Sequence, residues 1–482
     1  MNEWLSWSLI GVPLLGAGLA GLWPDNRSRP WLLPAVGAVH LALVTALALK
    51  ATAVAPQAWL GFDPLARAVL PAVSVLFLGC AAYAVTYLRI RAERPNRVFV
   101  AMLLTALGLI SAGHQARHLG LLWIATEAVT LACVPLLHFN GTPRAFEATW
   151  KYLLVGGTGI ALSLLGSFCL GYASLHGGGL GDLTFAALAA QGRELSPPWV
   201  LAAWVLLLAG YGTKMGLAPM HTWKPDAYGE APGIVGALLA GGVTTVAFTA
   251  ILRVRAVVGA AGAGAMADRT LLALGLFSLT VAALFLLGTR DFKRMLAYSS
   301  IEHMGILSLG AALGGAGLAA ALFHVWSNGL TKGALFLSAG NVRRVAGSAS
   351  MDTARGMARL TPWSAGLLVA GMLAVTALPP FAPFFSELQV VRAGLAAGRG
   401  WAVGLFLLCL LLAFLGMTRV VFGVVEGRPA PAVQRQAARF AETAGVLAPP
   451  LALLAASLAL GLFRPAGLAA AWQAAVAQIL QP

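Results

Sequence analysis

Gly212-Thr213-Lys214-Met215-Gly216-Leu217-Ala218-Pro219 ends a long apolar run that starts near Pro198. A second run, starting near Trp363, is cut by Leu378-Pro379-Pro380-Phe381-Ala382-Pro383 just before Ser386-Glu387. Each cut places helix breakers beside an ionisable residue within an apolar stretch. Proline by itself also kinks ordinary transmembrane helices. A matched pair, one with Lys214 and one with Glu387, reads instead as two discontinuous helices around an ion-handling site. In the span order given below the two runs lie five spans apart, an odd number, so a repeat relating them is inverted.

The 482 residues are 59% hydrophobic and 10% charged, with a mean hydropathy of +0.82. That balance excludes an ordinary soluble domain and specifies an all-α polytopic membrane protein in a lipid bilayer. The net charge of +15 comes from arginines scattered through short loops, which orient a membrane protein rather than bind nucleic acid. Cys80, Cys133, Cys169 and Cys409 stand isolated in apolar segments and read as packing residues. With no Cys/His cluster, no GxGxxG after a strand and no Walker-type loop, neither metal nor cofactor is expected in this chain. Any redox chemistry would belong to a partner.

Apolar windows give about fourteen spans. Their limits fall near 4–23, 31–54, 65–88, 98–115, 118–138, 150–175, 198–220, 233–253, 270–288, 295–315, 318–342, 363–396, 400–424 and 445–463. The first lacks the basic start and Ala-x-Ala exit of a signal peptide and reads as a retained span. Basic connections follow spans 1, 3, 5, 9, 11 and 13: Arg27/Arg29, Arg89–Arg97, Arg144/Lys151, Arg290–Arg294, Arg343–Arg359 and Arg428–Arg439. This asymmetry predicts an inner (cytoplasmic) membrane protein with both termini outside. Arg253, Arg255 and Arg269 break the pattern.

Only six of the 32 basic side chains are lysines. Lys214 and Lys332 lie within apolar runs, whereas Lys50, Lys151, Lys224 and Lys293 read as span ends or polar loops. A charge near a bilayer centre costs roughly 2.5–3.5 kcal/mol on insertion scales. Lysine can release its proton when desolvated and arginine cannot. Lysine at depth in an arginine-rich chain therefore points to proton handling. Glu127, within Leu121-Leu-Trp-Ile-Ala-Thr-Glu127, is the natural counter-ion of Lys214, either as a fixed interhelical salt bridge or as a switchable pair.

His324, Asn328 and Lys332 are spaced i, i+4, i+8 and share one helix face. Imidazole, amide and amine in line suit a hydrated proton wire. His303 enters its span beside Glu302, which reads as closer to the membrane surface. Glu387, just past the second cut, would be a terminal acid delivering protons to one side. His40, His114, His118, His138 and His176 read as interface residues. The polar linker His221–Pro232 anchors the first broken helix or forms an entry mouth, anchoring being favoured.

Gly212-Thr-Lys-Met-Gly-Leu-Ala-Pro-Met-His-Thr-Trp-Lys-Pro-Asp-Ala227 resembles the signature of the antiporter-like membrane subunits. That superfamily is shared by respiratory complex I, multi-subunit sodium/proton antiporters and group-four membrane-bound hydrogenases. Glu147-Ala-Thr-Trp-Lys-Tyr-Leu, Leu296-Ala-Tyr-Ser-Ser-Ile-Glu-His-Met-Gly and His324-Val-Trp-Ser-Asn-Gly-Leu-Thr-Lys are most similar to the F subunit of hydrogenase-4, found in formate-hydrogenlyase-type complexes. The resemblance implies fourteen helices with two inverted five-helix repeats, each holding a half-channel. Residues 1–97 would then be N-terminal helices, 98–255 the first repeat, 268–425 the second, and 426–482 a last helix with a short tail.

The resemblance also assigns roles. Glu127 and Lys214 match the coupling pair, Lys332 the central channel lysine, His303 and His324 channel histidines, and Glu387 the ionisable residue of the second broken helix. It implies other membrane subunits and a peripheral redox arm as partners. Three positions depart from the pattern: Thr245 stands nearest the span-8 position where many relatives carry Lys or His, Asn328 replaces a frequent histidine, and Lys224 replaces an apolar linker residue. Thr245 and Asn328 can order water but hold no proton charge near neutral pH. A cation/proton antiporter subunit, the membrane half of a bicarbonate-uptake system and a non-transporting scaffold are the competing readings. A scaffold has no need of costly buried charge.

Overall fold

The computed structural model describes residues 2–50, 54–55 and 57–480. Among these the chain is helical, with three isolated β-bridges and no strand. The helices are α1 (Asn2–Leu22), α2 (Leu32–Leu49), α3 (Pro64–Ile90), α4 (Arg97–Gln115), α5 (Leu119–Leu137), α6 (Pro143–His176), α7 (Phe185–Gln191), α8 (Pro197–Met215), α9 (Trp223–Glu230), α10 (Gly233–Leu238) and α11 (Thr244–Val258). They continue with α12 (Gly264–Gly288), α13 (Phe292–Ala311), α14 (Gly314–Ala346), α15 (Met357–Leu360), α16 (Pro362–Val375), α17 (Ala382–Ala396), α18 (Gly400–Val425), α19 (Pro431–Ala437), α20 (Ala444–Leu462) and α21 (Ala466–Leu480). Nine helical stretches among the described residues are long and apolar enough to cross a membrane. The far end of the second expected span, residues 51–53, lies outside the described residues.

Both expected breaks are present. α8 stops at Met215, where Gly216 adopts φ +79° and its N–H returns to the Gly212 carbonyl at 2.8 Å. That left-handed turn is a helix C-terminus that a side chain would strain. The freed Ala218 N–H donates to Ser278 Oγ on α12 at 2.9 Å, and Trp223 Nε1 donates to the Thr213 carbonyl at 2.8 Å. Backbone groups released inside a membrane need such internal partners. The second break separates α16 from α17. There Gly461 of α20 lets the chain approach, since a Cβ would stand 2.1 Å from the Pro380 carbonyl oxygen.

α14 is the hub. It packs against α13, α20, α17, α16, α10 and α3, and almost every residue from Leu318 to Ala346 is buried. α21, a helix beyond the last expected span, docks on α3, α14 and α11. It occupies what reads in the sequence as a short tail, and it is too short to count as a crossing.

The arginines that broke the loop pattern are interior groups. Arg253 is 3% exposed and grips Asp63, at the start of α3, through both nitrogens, with Nη2 at 3.0 Å from Oδ1. Gln478 of α21 donates to the same carboxylate at 2.8 Å, and Arg253 also reaches the His114 carbonyl at 2.9 Å. Arg255 pairs with Asp268 at 2.7 Å. These cations are neutralised within the bundle and do not act as free loop charge. Breaking a buried pair by removing one partner costs about 3–5 kcal/mol. Arg253→Met should therefore lower the melting temperature in mild detergent sharply, and adding Asp63→Asn should recover part of the loss. An unchanged melting curve for Arg253→Met would contradict this account.

Candidate functional site

Lys214 occupies the last turn of α8 and is buried. Its Nζ lies 3.3 Å from Glu127 Oε2 on α5 and donates to Thr130 Oγ1, one turn along, at 2.7 Å. Gly156 of α6 makes the room: a Cβ there would sit 2.8 Å from Nζ. Glu127 itself is 25% exposed, on the outer face of α5 that also shows Ile124 and Leu131. The acid lies midway along α5. Its spacing of three and four residues from Ile124 and Leu131 turns it toward the flank of the bundle, while the ammonium lies inside.

The second cluster joins α13, α14 and α17. His303 Nδ1 and His324 Nε2 are 2.8 Å apart, with rings stacked at 5.0 Å. His324 Nδ1 lies 2.9 Å from Ser386 Oγ. Glu387 is buried beside them, and ligand-type atoms of His303, His324 and Glu387 all lie within 4.8 Å of one another. Among the described residues, His303 Nε2 and both Glu387 oxygens have no partner. Buried polar atoms without protein partners require water or an ion. Two imidazoles and a carboxylate so placed can exchange protons, and they carry the donor set for a divalent cation.

Lys332, two turns further along the same face of α14, is fully buried and donates to Ser299 Oγ of α13 at 2.6 Å. Asn328 Nδ2 donates to the Ala240 carbonyl at 3.3 Å, and its Oδ1 has no partner among the described residues. Ala240 lies in a π-helical turn, Leu239–Val243, between α10 and α11. Such a turn leaves carbonyls outside the regular ladder. Thr245 donates to Gly242 O and faces His114 Nε2 at 3.1 Å.

Several interior groups read differently in the sequence. Glu302 is 6% exposed rather than near the surface, with Lys332 and Ser299 as its polar neighbours. Its turn of α13 points at α14 and not outward. His40 and His114 are fully buried, not interfacial: His40 sits between Ser111 and Ser74 at 2.8 and 3.0 Å, and His114 between Thr245 and Thr249 at 3.1 and 3.2 Å. His138 and His176 are exposed and His118 is partly so. Lys224 and Lys293, read as loop residues, are fully buried because α9 folds back into the bundle against α6 and α13. Lys293 Nζ donates to the Gly229 carbonyl at 2.9 Å and also to that of Ala231. Arg343 binds Gly229 O at 2.9 Å and Glu230 Oε2 at 3.1 Å. Cations at a helix C-terminus satisfy its last carbonyls. Asp226 of α9 holds Lys151 at 2.8 Å and also Arg294, so the linker is anchored on several sides. The signal that could have found Lys224 and Lys293 is their residue type in an arginine-rich chain.

Residues 116–413 match the family described as NADH:quinone oxidoreductase/Mrp antiporter, TM. The chain is 37% identical over 325 residues to the hydrogenase-4 component F homolog of Methylacidiphilum infernorum (isolate V4), covering 66% of this chain and 68% of that one. It is 33% identical over 428 residues to NADH-quinone oxidoreductase subunit N of Desulforudis audaxviator (strain MP104C), covering 85% and 83%. A chain of the Mrp complex from Dietzia sp. DQ12-45-1b superposes with a TM-score of 0.87 at 23% identity, covering 100% of this chain and 98% of that one. The fold and the motifs define a multi-pass, all-helical membrane subunit of antiporter-like type. This chain belongs to the NADH:quinone oxidoreductase/Mrp antiporter family, as the motifs around Lys214 and Lys332 led one to expect.

Gly156→Val would fill the space held by the Lys214 ammonium. The variant should fold, yet a cryo-electron microscopy map should show Nζ displaced from Glu127 beyond salt-bridge range. A pair still at 3.3 Å would contradict the role assigned to Gly156.

Proposed function

We propose that this chain is a proton-translocating, antiporter-like membrane subunit of a membrane-bound hydrogenase or a related complex I-like oxidoreductase complex. The observation that carries the reading is the direct succession of buried titratable groups across α13, α14 and α17, with His303 and His324 2.8 Å apart and Glu387 beside them. Such groups are costly in lipid, and a structural role would leave them paired. Glu127 and Lys214 would couple the chain to a neighbouring subunit, because Glu127 reaches the flank of the bundle. Lys332 would hold the proton at the centre, His324 and His303 would pass it on, and Glu387 would release it. Thr245 and Asn328 would order water.

In this reading fourteen crossings form two inverted five-helix repeats after three N-terminal helices. α4 to α11 would make the first, expected over residues 98–255, and α12 to α18 the second, expected over residues 268–425, with helix ends a few residues beyond those limits; the N-terminal helices would lie in 1–97 and a last crossing in 426–482. Both termini would lie outside an inner membrane, as the loop arginines favour. The redox centres would sit in a peripheral arm and none in this chain. Relatives named for hydrogenase-4 and for NADH-quinone oxidoreductase support the redox-complex branch.

Lys332→Met tests the reading in the native complex reconstituted into vesicles. Assembly and hydrogenase turnover should persist while proton translocation falls by roughly a hundredfold, the usual worth of a positioned proton carrier. Unchanged translocation would overturn it. Co-purification of a nickel–iron hydrogenase subunit in mild detergent is the expected outcome for partners. A set of antiporter-like chains alone would contradict the hydrogenase assignment and favour a cation/proton antiporter.

A further inference from the structure

Four lysines of this chain are buried: Lys214, Lys224, Lys293 and Lys332. Three have protein acceptors, a carboxylate and hydroxyl for Lys214, two carbonyls for Lys293 and a hydroxyl for Lys332. Lys224 is fully buried, and its Nζ has no partner among the described residues. The acids of its own helix are taken, Asp226 by Lys151 and Arg294 and Glu230 by Arg343. An ammonium with three donors is not stable in such a place unless water reaches it or the proton leaves.

Its position is equally telling. Nζ stands 6.0 Å from the ring centre of Trp223 and 5.7 Å from that of Tyr228, whose hydroxyl is also buried without a partner among the described residues. These rings belong to a row joining the two halves of the site. Lys214 Nζ lies 6.0 Å from the ring of Tyr152, Tyr152 meets Trp223 at 5.2 Å, Trp223 meets Tyr228 at 6.0 Å, and Tyr228 meets Phe336 at 5.6 Å. Phe336 is one turn beyond Lys332 on α14; the charge of Lys332 bears on Lys224, and that of Lys224 bears on His221 and His303. Gly216 accommodates the lysine stem, since a Cβ there would lie 2.3 Å from Lys224 Cε.

We propose that Lys224 is a proton-binding site that links the Glu127–Lys214 pair to Lys332, carrying the charge that Thr245 cannot hold. The inference rests on the transport reading above. A proton leaves the Lys214 ammonium, breaking one N–H bond, and through water forms one on the Lys224 amine. The same exchange then passes it to Lys332, so each step loses one proton at one nitrogen and gains one at the next, with no electron moved. Repulsion between neighbouring ammonium groups disfavours their simultaneous protonation, so the proton occupies one nitrogen at a time. Packing alone does not account for the site: a fixed cation–π contact needs the charge but never its release.

The test compares Lys224→Met, Lys224→Gln and Lys224→Arg with wild type in the assembled complex, reconstituted into phosphatidylethanolamine–phosphatidylglycerol vesicles. Proton uptake is read by a pH-sensitive dye and divided by hydrogenase turnover. All three variants should assemble and turn over, while protons moved per turnover fall by roughly tenfold or more. Arginine must fail with the others because it keeps the charge yet cannot release the proton. Normal pumping in Lys224→Met or Lys224→Gln, or rescue by Lys224→Arg, overturns the proposal. Lys332→Met run in parallel separates the two levels: loss there with normal pumping in the Lys224 variants sinks only this inference, whereas normal pumping in every variant sinks the transport reading itself.

Discussion

A positive charge enclosed by hydrocarbon must be paired, hydrated or relieved of its proton. The interior of this bundle is arranged around that constraint. Arg253 is paired with Asp63, and Arg255 with Asp268. Lys293 is absorbed by the carbonyls that end α9. These solutions are permanent, and they hold the fold. Lys214 and Lys332 are treated differently. The first shares a longer contact with a partly exposed carboxylate, and the second has one neutral hydroxyl. Their partners leave room for the proton to move.

The broken helices supply the geometry. Ending α8 at Gly216 brings α9 across the interior, where Asp226, Lys293 and Arg343 tie it to α6, α13 and α14. α9 therefore joins the two lysine-bearing halves mechanically as well as electrostatically. The second break does the same for Ser386 and Glu387 at the head of α17, which meet the imidazoles of α13 and α14. A continuous helix at either place would satisfy its own backbone and carry its ionisable group along one face only.

The class of fold was legible because apolar run length and in-membrane lysine are local signals. Lys214, Lys332 and the two breaks announce themselves against a Leu- and Ala-rich background. The pairing of Lys214 with Glu127 needed tertiary structure, as did the turning of Glu127 toward the flank. Lys224, Lys293, Glu302 and His114 were misplaced for one reason. Each lies in a polar stretch or near a span end, where local hydropathy reads as solvent, and only the packing of α9, α13 and α11 buries it. Arg253 was misplaced in the same sense, a loop-like charge that is buried because its carboxylate lies 190 residues away in sequence.

Water is what must connect these side chains if they form one conductor. A cryo-electron microscopy map of the native complex, fine enough to resolve ordered solvent, examines that directly. The account requires an unbroken chain of hydrogen bonds, side chain to water to side chain, from Glu127 through Lys214, Lys224 and Lys332 to His324, His303 and Glu387. A dry, close-packed apolar gap between any two successive members, wider than a single water can span, would contradict it.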